Sequence, residues 1–176
     1  LTGNDQLIIV DLGALQSVGG SITISGNLAM QSIDLSSLAT VDGSLTISGN
    51  PALNAILISG VTSIDGDLTV VGTAATVIDV SSLTTVTGSL DISDNDSATA
   101  INMAGLTTVG GSLDLSGNTS VSSIDLGGVT TVGGNLDVSG NTSATVIDMA
   151  SLTTVGGSLT FSDNPAADPI NMAGLT

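Results

Sequence analysis

Aspartate is the only residue type in this chain whose side chain is charged at neutral pH. The 176 residues include 16 aspartates and no glutamate, lysine, arginine, histidine or cysteine, which gives a net charge of −16 at pH 7. Serine or threonine nucleophiles need a neighbouring base such as histidine or lysine, and zinc sites usually need histidine or cysteine. The chemistry open to the chain is therefore that of carboxylates, amides and hydroxyls.

Paired carboxylates are the one catalytic arrangement that this composition permits. Asp94 and Asp96, in "SDNDS", form a tight cluster. Glycosidases set two carboxyl groups across a cleft that also contacts the sugar, and Phe161 is the only aromatic residue available for stacking. We interpret these aspartates as turn formers and predict that the chain is not an enzyme.

Two sets of aspartates recur at the same spacing and could bind a cation. Asp91, Asp114 and Asp137 form the first set, and Asp125 and Asp148 belong to the second, each 23 residues apart. Stacked carboxylates about 4.8 Å apart repel each other by roughly 1 kcal/mol in water, and Ca²⁺, which prefers oxygen ligands, could bridge them. The alternatives are diffuse cation condensation and a solvated acidic face. No cofactor is expected, and Ca²⁺ is the one candidate.

The charge also restricts the partners. A polyanion without lysine or arginine cannot neutralise phosphates, so nucleic-acid binding and attraction to anionic lipid are not expected. No apolar run approaches the roughly 18 residues of a membrane span, so direct insertion into a membrane is not expected either. The partners that we predict are divalent cations, neutral surfaces such as polysaccharide or ice, and other copies of the chain.

One short unit repeats along the whole sequence. With the leucine of "LTTV" as position 1, units begin at residues 15, 38, 61, 83, 106, 129 and 152, and each has 23 residues except the unit from 61, which has 22. Positions 1, 4, 8, 10, 16, 19 and 21 are apolar. In the unit from 106 they are Leu106, Val109, Leu113, Leu115, Val121, Ile124 and Leu126.

The spacing inside the unit predicts short strands. Positions 8 and 10, and positions 19 and 21, alternate with polar residues, which is the period of a strand, and "GG" and "SGN" or "SDN" mark turns. We predict an all-β, right-handed parallel β-solenoid (β-helix) of seven to eight coils, stacked over about 35 Å. Residues 1–176 form one repeat array, which we expect to be a segment of a longer solenoid because it starts and stops within a repeat.

"GSLDLSGN", "GNLDVSGN" and "GSLTISGN" resemble the L-x-L-x-x-N core of leucine-rich repeats. The longer phrase "LTTVGGSLDLSGN" more closely resembles receptor L-domain repeats and related bacterial surface repeats. The resemblance implies an extracellular solenoid that presents a binding surface, with a buried asparagine that satisfies turn amides of neighbouring coils. The matching residues are Asn4, Asn27, Asn50, Asn95, Asn118, Asn141 and Asn164. The 22-residue unit has lost this asparagine, which predicts an irregularity near Gly72–Thr73.

Threonine is the other regular feature. It occupies positions 2 and 3 of most units and position 9 of four, and regular threonines on a flat solenoid face are typical of several ice-binding proteins. Our leading hypothesis is a structural segment of a secreted or cell-surface protein, a rigid stalk, fibre or layer component that self-associates into a filament or layer. The alternatives are an adhesin module that displays a surface for glycan or another cell, and an ice-binding protein.

Overall fold

A computed structural model of the chain describes residues 1–175, and it is all-β. The described residues form 22 short strands and no helix, so they include no helix that could cross a membrane. Every paired strand runs parallel to the equivalent strand of the next coil, about 23 residues later. The predicted parallel β-solenoid of about seven turns is confirmed. Thr176, the last residue of the predicted array, lies outside the described residues.

The strands form three faces. The Asp/Thr face, built from positions 8 to 10, contains β3 (Ile22–Ser25), β6 (Leu45–Asn50), β9 (Leu68–Thr73), β12 (Leu90–Asp91), β15 (Leu113–Asp114), β18 (Leu136–Asp137) and β21 (Leu159–Thr160). The Thr face, from positions 3 and 4, contains β2 (Ser17–Val18), β5 (Thr40–Val41), β8 (Ser63–Ile64), β11 (Thr85–Val86), β14 (Thr108–Val109), β17 (Thr131–Val132) and β20 (Thr154–Val155).

The third face, here called the Asx face, is built from positions 18 to 20 and is divided into three sheets. The first contains β1 (Ile9–Asp11), β4 (Ser32–Asp34) and β7 (Ala55–Leu57). The second contains β10 (Val77–Asp79) and β13 (Ala100–Asn102), and the third contains β16 (Ser123–Asp125), β19 (Val146–Asp148) and β22 (Ile170–Asn171).

The core lies between the three faces and follows from the alternation of side chains along each strand. All seven positions predicted to be buried in the unit from 106 are buried. Their equivalents join one continuous apolar cluster that extends from Val10 to Leu152. A row of aliphatic side chains at each repeat position therefore runs along the solenoid, and the polar residues between them face outward.

Glycine at position 6 is required by the close stacking of the coils. A Cβ atom at Gly111 would meet the hydroxyl of Ser89 and would lie 2.9 Å from the carbonyl carbon of Gly88. The same conflict recurs in the coils that follow Gly20, whereas at Gly20 itself nothing lies within 4 Å. The "GG" pairs thus allow one coil to approach the next.

The coil from 61 contains the irregularity predicted near Gly72–Thr73. In the other coils the position-13 asparagine begins a tight turn, as in the 3.0 Å hydrogen bond from the Leu53 N–H to the Asn50 carbonyl. In the short coil the Ala75 N–H instead reaches the Thr73 hydroxyl, at 3.4 Å. One residue of the turn is missing, and β7 and β10, which follow this turn in adjacent coils, do not pair.

Candidate functional surfaces

The first predicted set of aspartates forms a row on the Asp/Thr face. Asp91, Asp114 and Asp137 lie in register because their strands pair directly. Thr69 and Thr160 extend the row on either side. All three aspartates are half-buried, so the structure brings this set together as the spacing predicted.

A serine two residues later holds each of these carboxylates. The hydroxyl of Ser93 donates to Asp91 Oδ1 at 2.6 Å. Ser116 donates to Asp114 Oδ1 from its hydroxyl at 2.6 Å and from its backbone N–H at 2.9 Å. Ser139 binds Asp137 in the same way. One oxygen of each carboxylate is thus engaged within its own coil.

Burial affects the carboxyl group of Asp91 in this row. It raises the pKa of the Asp91 carboxyl above its ordinary value of 3.8, against the hydrogen bond from Ser93, and the nearby charge of Asp114 raises it further. Within residues 1–175, no group of three or more acidic side chains is arranged to hold a metal ion. A cation on this row would therefore have to bridge carboxylates of adjacent coils.

The second predicted set, Asp125 and Asp148, has a local structural role. The two residues lie in register on the Asx face. Asp125 Oδ1 accepts the N–H of Gly127 at 2.8 Å, and Asp148 Oδ1 accepts the N–H of Ala150 at 3.0 Å. These are Asx turns, which end the strand and start the corner. Equivalent bonds occur at Asp11, Asp34, Asp79, Asn102 and Asn171.

The two aspartates of the remaining candidate pair, Asp94 and Asp96, have different local roles. Asp94 is exposed and adopts a left-handed backbone conformation with a φ of 54°. Asp96 accepts a 2.8 Å hydrogen bond from the hydroxyl of Thr119, one coil further on. Both residues thus take part in the turn between the Asp/Thr and Asx faces.

The position-13 asparagines form a buried row that links successive coils. Asn118 illustrates the pattern: its Oδ1 accepts the Asn95 N–H at 3.1 Å, and its Nδ2 donates to the Ile92 and Leu115 carbonyls at 2.7 and 2.9 Å. The fully buried members are Asn27, Asn50, Asn95, Asn118 and Asn141, while Asn164 is half-buried and Asn4 is exposed. Thr73 replaces one member, and its hydroxyl donates to Asn95 Oδ1 at 2.8 Å.

A second polar row, at position 7, was not anticipated from the sequence, where "GGS" indicated only a turn. The Ser112 N–H donates to the Ser89 hydroxyl at 3.1 Å, and the Asn135 N–H donates to the Ser112 hydroxyl at 3.0 Å. The same bond recurs along the array through Ser44, Asp67, Ser89 and Ser158. The available signal was that position 7 always carries a short side chain with an oxygen acceptor.

The threonine rows differ in how free their hydroxyls are. At position 2, the hydroxyl of Thr107 donates to the Thr84 carbonyl at 3.1 Å and that of Thr130 to the Thr107 carbonyl at 3.2 Å. At position 3, Thr108 and Thr131 lie in register on the Thr face without such a bond. The position-3 row is therefore the freer of the two.

A groove of about 300 Å³ opens on the Asx face where β7 and β10 fail to pair. Leu57 and Val77 line it and are 49% and 50% exposed. Asn54, Thr76 and Asp79 supply polar groups at the same place. The groove thus combines apolar side chains with oxygen acceptors.

Comparisons with protein-family models, with curated proteins and with solved structures find no significant match to this chain.

Proposed function

We propose that this chain is a structural segment of a secreted or cell-surface protein and forms part of a rigid stalk, fibre or layer. The observation that carries the proposal is the unbroken pairing of seven strands on each of two faces around one continuous core. Each coil is held to the next by main-chain ladders and by two side-chain rows, so bending would have to break several bonds at once. A load-bearing or spacing element needs this property.

Composition supports an extracellular role. The chain has no lysine or arginine and therefore no site for trypsin-like proteases. It also lacks cysteine, histidine and glutamate, which leaves few groups for nucleophilic or acid–base catalysis. Immunogold labelling of intact source cells with an antibody against the array is the direct test, and label confined to the cytoplasm would refute this location.

Self-association is the second part of the proposal. Rods that carry only negative charge repel each other laterally, and Ca²⁺ between carboxylate rows would remove that repulsion. We expect negative-stain electron microscopy to show filaments or sheets that are favoured by Ca²⁺. Particles that stay monomeric at all protein concentrations, with and without Ca²⁺, would refute assembly but not the rod itself.

The relation to receptor L-domain and bacterial leucine-rich repeats also belongs to this proposal. Its support is the L-x-L-x-x-N phrase, together with the row of Asn118 and its equivalents that bonds turn amides between coils. A solved structure of a receptor L-domain repeat with the same bonds from the asparagine would strengthen it. A different role for the asparagine in that repeat would remove this support.

Ice binding is the second candidate, favoured by one surface. Thr85, Thr108, Thr131 and Thr154 follow each other in register on the Thr face. No aspartate occurs at positions 1 to 6 of these four coils, so this stretch of the face is uncharged. A thermal hysteresis assay tests the candidate, and absence of hysteresis at high protein concentration would exclude it.

A further inference from the structure

The groove between β7 and β10 coincides with the irregular coil of the repeat. The coil from 61 lacks one residue of the turn at Thr73, and β10, which follows this turn, does not pair with β7 of the preceding coil. The Asx face is also interrupted between β13 and β16, where no residue is missing. At most other coil junctions of the Asx face, the position-21 N–H donates to the next coil's position-20 carbonyl, as Leu35 does to Leu57 at 2.8 Å. No such bond joins Ile58 to Asp79 in the described chain.

The groove also departs from the repeat in its side chains. Position 20 is otherwise aspartate or asparagine in the described coils, but here it is Leu57. Leu57 has no side-chain oxygen. It therefore cannot accept the Ser59 N–H, whereas Asp34 and Asp79 accept the N–H two residues later. Val77 of the next coil lines the same groove, at a repeat position where most coils carry serine, alanine or valine. An exposed leucine thus stands at a position that is otherwise aspartate or asparagine, in the same groove as an exposed valine.

Oxygen acceptors surround this apolar pair. Asp79 is half-buried, and its Oδ1 accepts the Ser81 N–H at 3.0 Å. Its Oδ2 accepts no hydrogen bond from the described residues. The Asn54 amide and the hydroxyls of Ser59 and Thr76 lie at the same groove. An aliphatic chain that ends in an ammonium group matches this surface, because an ammonium has three donors and no acceptor.

We propose that this groove is a binding site for an aliphatic ammonium group, the lysine side chain of a partner protein. The alkyl stem packs between Leu57 and Val77, and the ammonium pairs with the Asp79 carboxylate. The net charge of −16 attracts cationic partners to the whole rod, and the apolar pair selects this one position. The lysine comes from outside this array, because residues 1–176 contain none.

This inference goes beyond the proposed structural role and does not depend on it. The test is an NMR titration of the methyl-labelled protein with n-butylammonium chloride and with N-acetyl-lysinamide, at constant ionic strength. We expect saturable shifts of the Leu57 and Val77 methyl signals with both probes. n-Butanol, the neutral analogue, should bind about tenfold more weakly, because a hydroxyl makes a weaker hydrogen bond to the Asp79 carboxylate than an ammonium does.

Three substitutions taken from the repeat itself separate the contributions. Asp79→Asn removes the charge but keeps the Asx acceptor, as Asn102 does naturally, and should weaken n-butylammonium binding about tenfold. Leu57→Asn introduces a residue that is usual at position 20 and should abolish the saturable shift of the Val77 methyl signals. Asp125→Asn, at the same repeat position in another coil, should leave binding unchanged.

Two results would overturn the site. In the first, the butylammonium shifts spread evenly over all acidic residues, which indicates diffuse condensation. In the second, Asp79→Asn and Asp125→Asn have equal effects. Either outcome leaves the structural role of the rod intact, because filament formation is measured separately.

Discussion

At the scale of single residues, one residue type takes several roles because its position in the coil differs. Asp125 closes an Asx turn, Asp91 belongs to a half-buried row held by serine, and Asp94 occupies a left-handed turn position. The carboxylate chemistry is the same in each case. The backbone geometry at positions 20, 9 and 12 decides what that carboxylate contacts.

Asp91 should make the protein more stable in acid. Its pKa is raised in the folded state, so folding favours the protonated form. The contribution to stability is full below the ordinary value of 3.8 and is lost as the pH rises through the higher folded value. The free energy of unfolding, measured in urea, should rise less for Asp91→Asn than for the wild type when the pH is lowered from 7 to below 3.8.

Asp34 provides a control of opposite sign. The hydroxyl and the backbone N–H of Ser36 lower its pKa, so its stabilising contribution is present above 3.8 and is lost as the pH falls through the lowered value. The free energy of unfolding of Asp34→Asn should therefore rise more on acidification than that of the wild type. A pH profile of Asp91→Asn that matches the wild type would contradict the assignment for Asp91.

Asp94 should be replaceable by glycine with a gain in stability. Its φ of 54° lies in the left-handed region, where six other coils carry glycine. A side chain there costs about 1–2 kcal/mol, while glycine increases the unfolded-state entropy by the equivalent of about 0.5–1 kcal/mol. Asp94→Gly should raise the free energy of unfolding by about 0.5–1 kcal/mol in chemical denaturation. A loss of stability would mean that the Asp94 side chain makes a compensating contact.

At the scale of elements, the coils are joined by contacts that leave no room for extra atoms. The position-7 side chain of one coil accepts the N–H of the next, and the following glycine at position 6 passes directly beside it. The asparagine row provides a second, buried connection. Strand pairing, polar rows and glycine are thus parts of one stacking geometry.

Gly111→Ala should strongly destabilise the array, because the new Cβ would overlap Ser89. Overpacking of this kind costs roughly 1–3 kcal/mol, and we expect about 2 kcal/mol in the free energy of unfolding. Gly20→Ala is the matched control, since it has the same repeat position but nothing within 4 Å. If the two substitutions destabilise the protein equally, backbone propensity and not coil stacking explains the glycine at position 6.

Asn118→Ala should cost about 3 kcal/mol or more. It removes the acceptor of the Asn95 N–H and the donor to the Ile92 and Leu115 carbonyls, and each buried group left unpaired costs about 1–3 kcal/mol. Thermal and urea unfolding measure the effect. Asn4→Ala, at an exposed member of the same row, should cost far less, and a similar loss at both sites would contradict the buried-row explanation.

At the scale of the whole molecule, the charge has one sign and no internal compensation. All 16 charged side chains are aspartates, so electrostatics inside the rod is repulsive throughout. Screening can only weaken repulsion here, because there is no pair of opposite side-chain charges to screen.

Salt should therefore stabilise the rod. Raising the NaCl concentration from about 0.01 to 0.15 M shortens the Debye length from about 30 to 8 Å, and the melting temperature followed by circular dichroism should rise. A non-ionic osmolyte at equal osmolality controls for solvent exclusion. A melting temperature that falls with NaCl would contradict the account.

The sequence alone determined the coil, its strands and its core. Leu113, Leu115 and Ile124 could be assigned to the interior because alternation and a 23-residue period are local signals that stacking preserves. The loss of asparagine in one unit also located the irregular coil at Thr73. These features depend on whether a residue of a strand faces the core or the solvent, and the repeated apolar pattern indicates this directly.

Only the tertiary structure decided what the outward side chains contact. The bond from Ser112 to Ser89 and the groove lined by Leu57 and Val77 depend on distances between coils. A hydrogen bond forms or fails within a few tenths of an ångström, and no periodicity in the sequence has that resolution. The physical division is thus between the side of the strand that a residue faces, which the periodic pattern gives, and the distances between atoms of neighbouring coils, which it does not give.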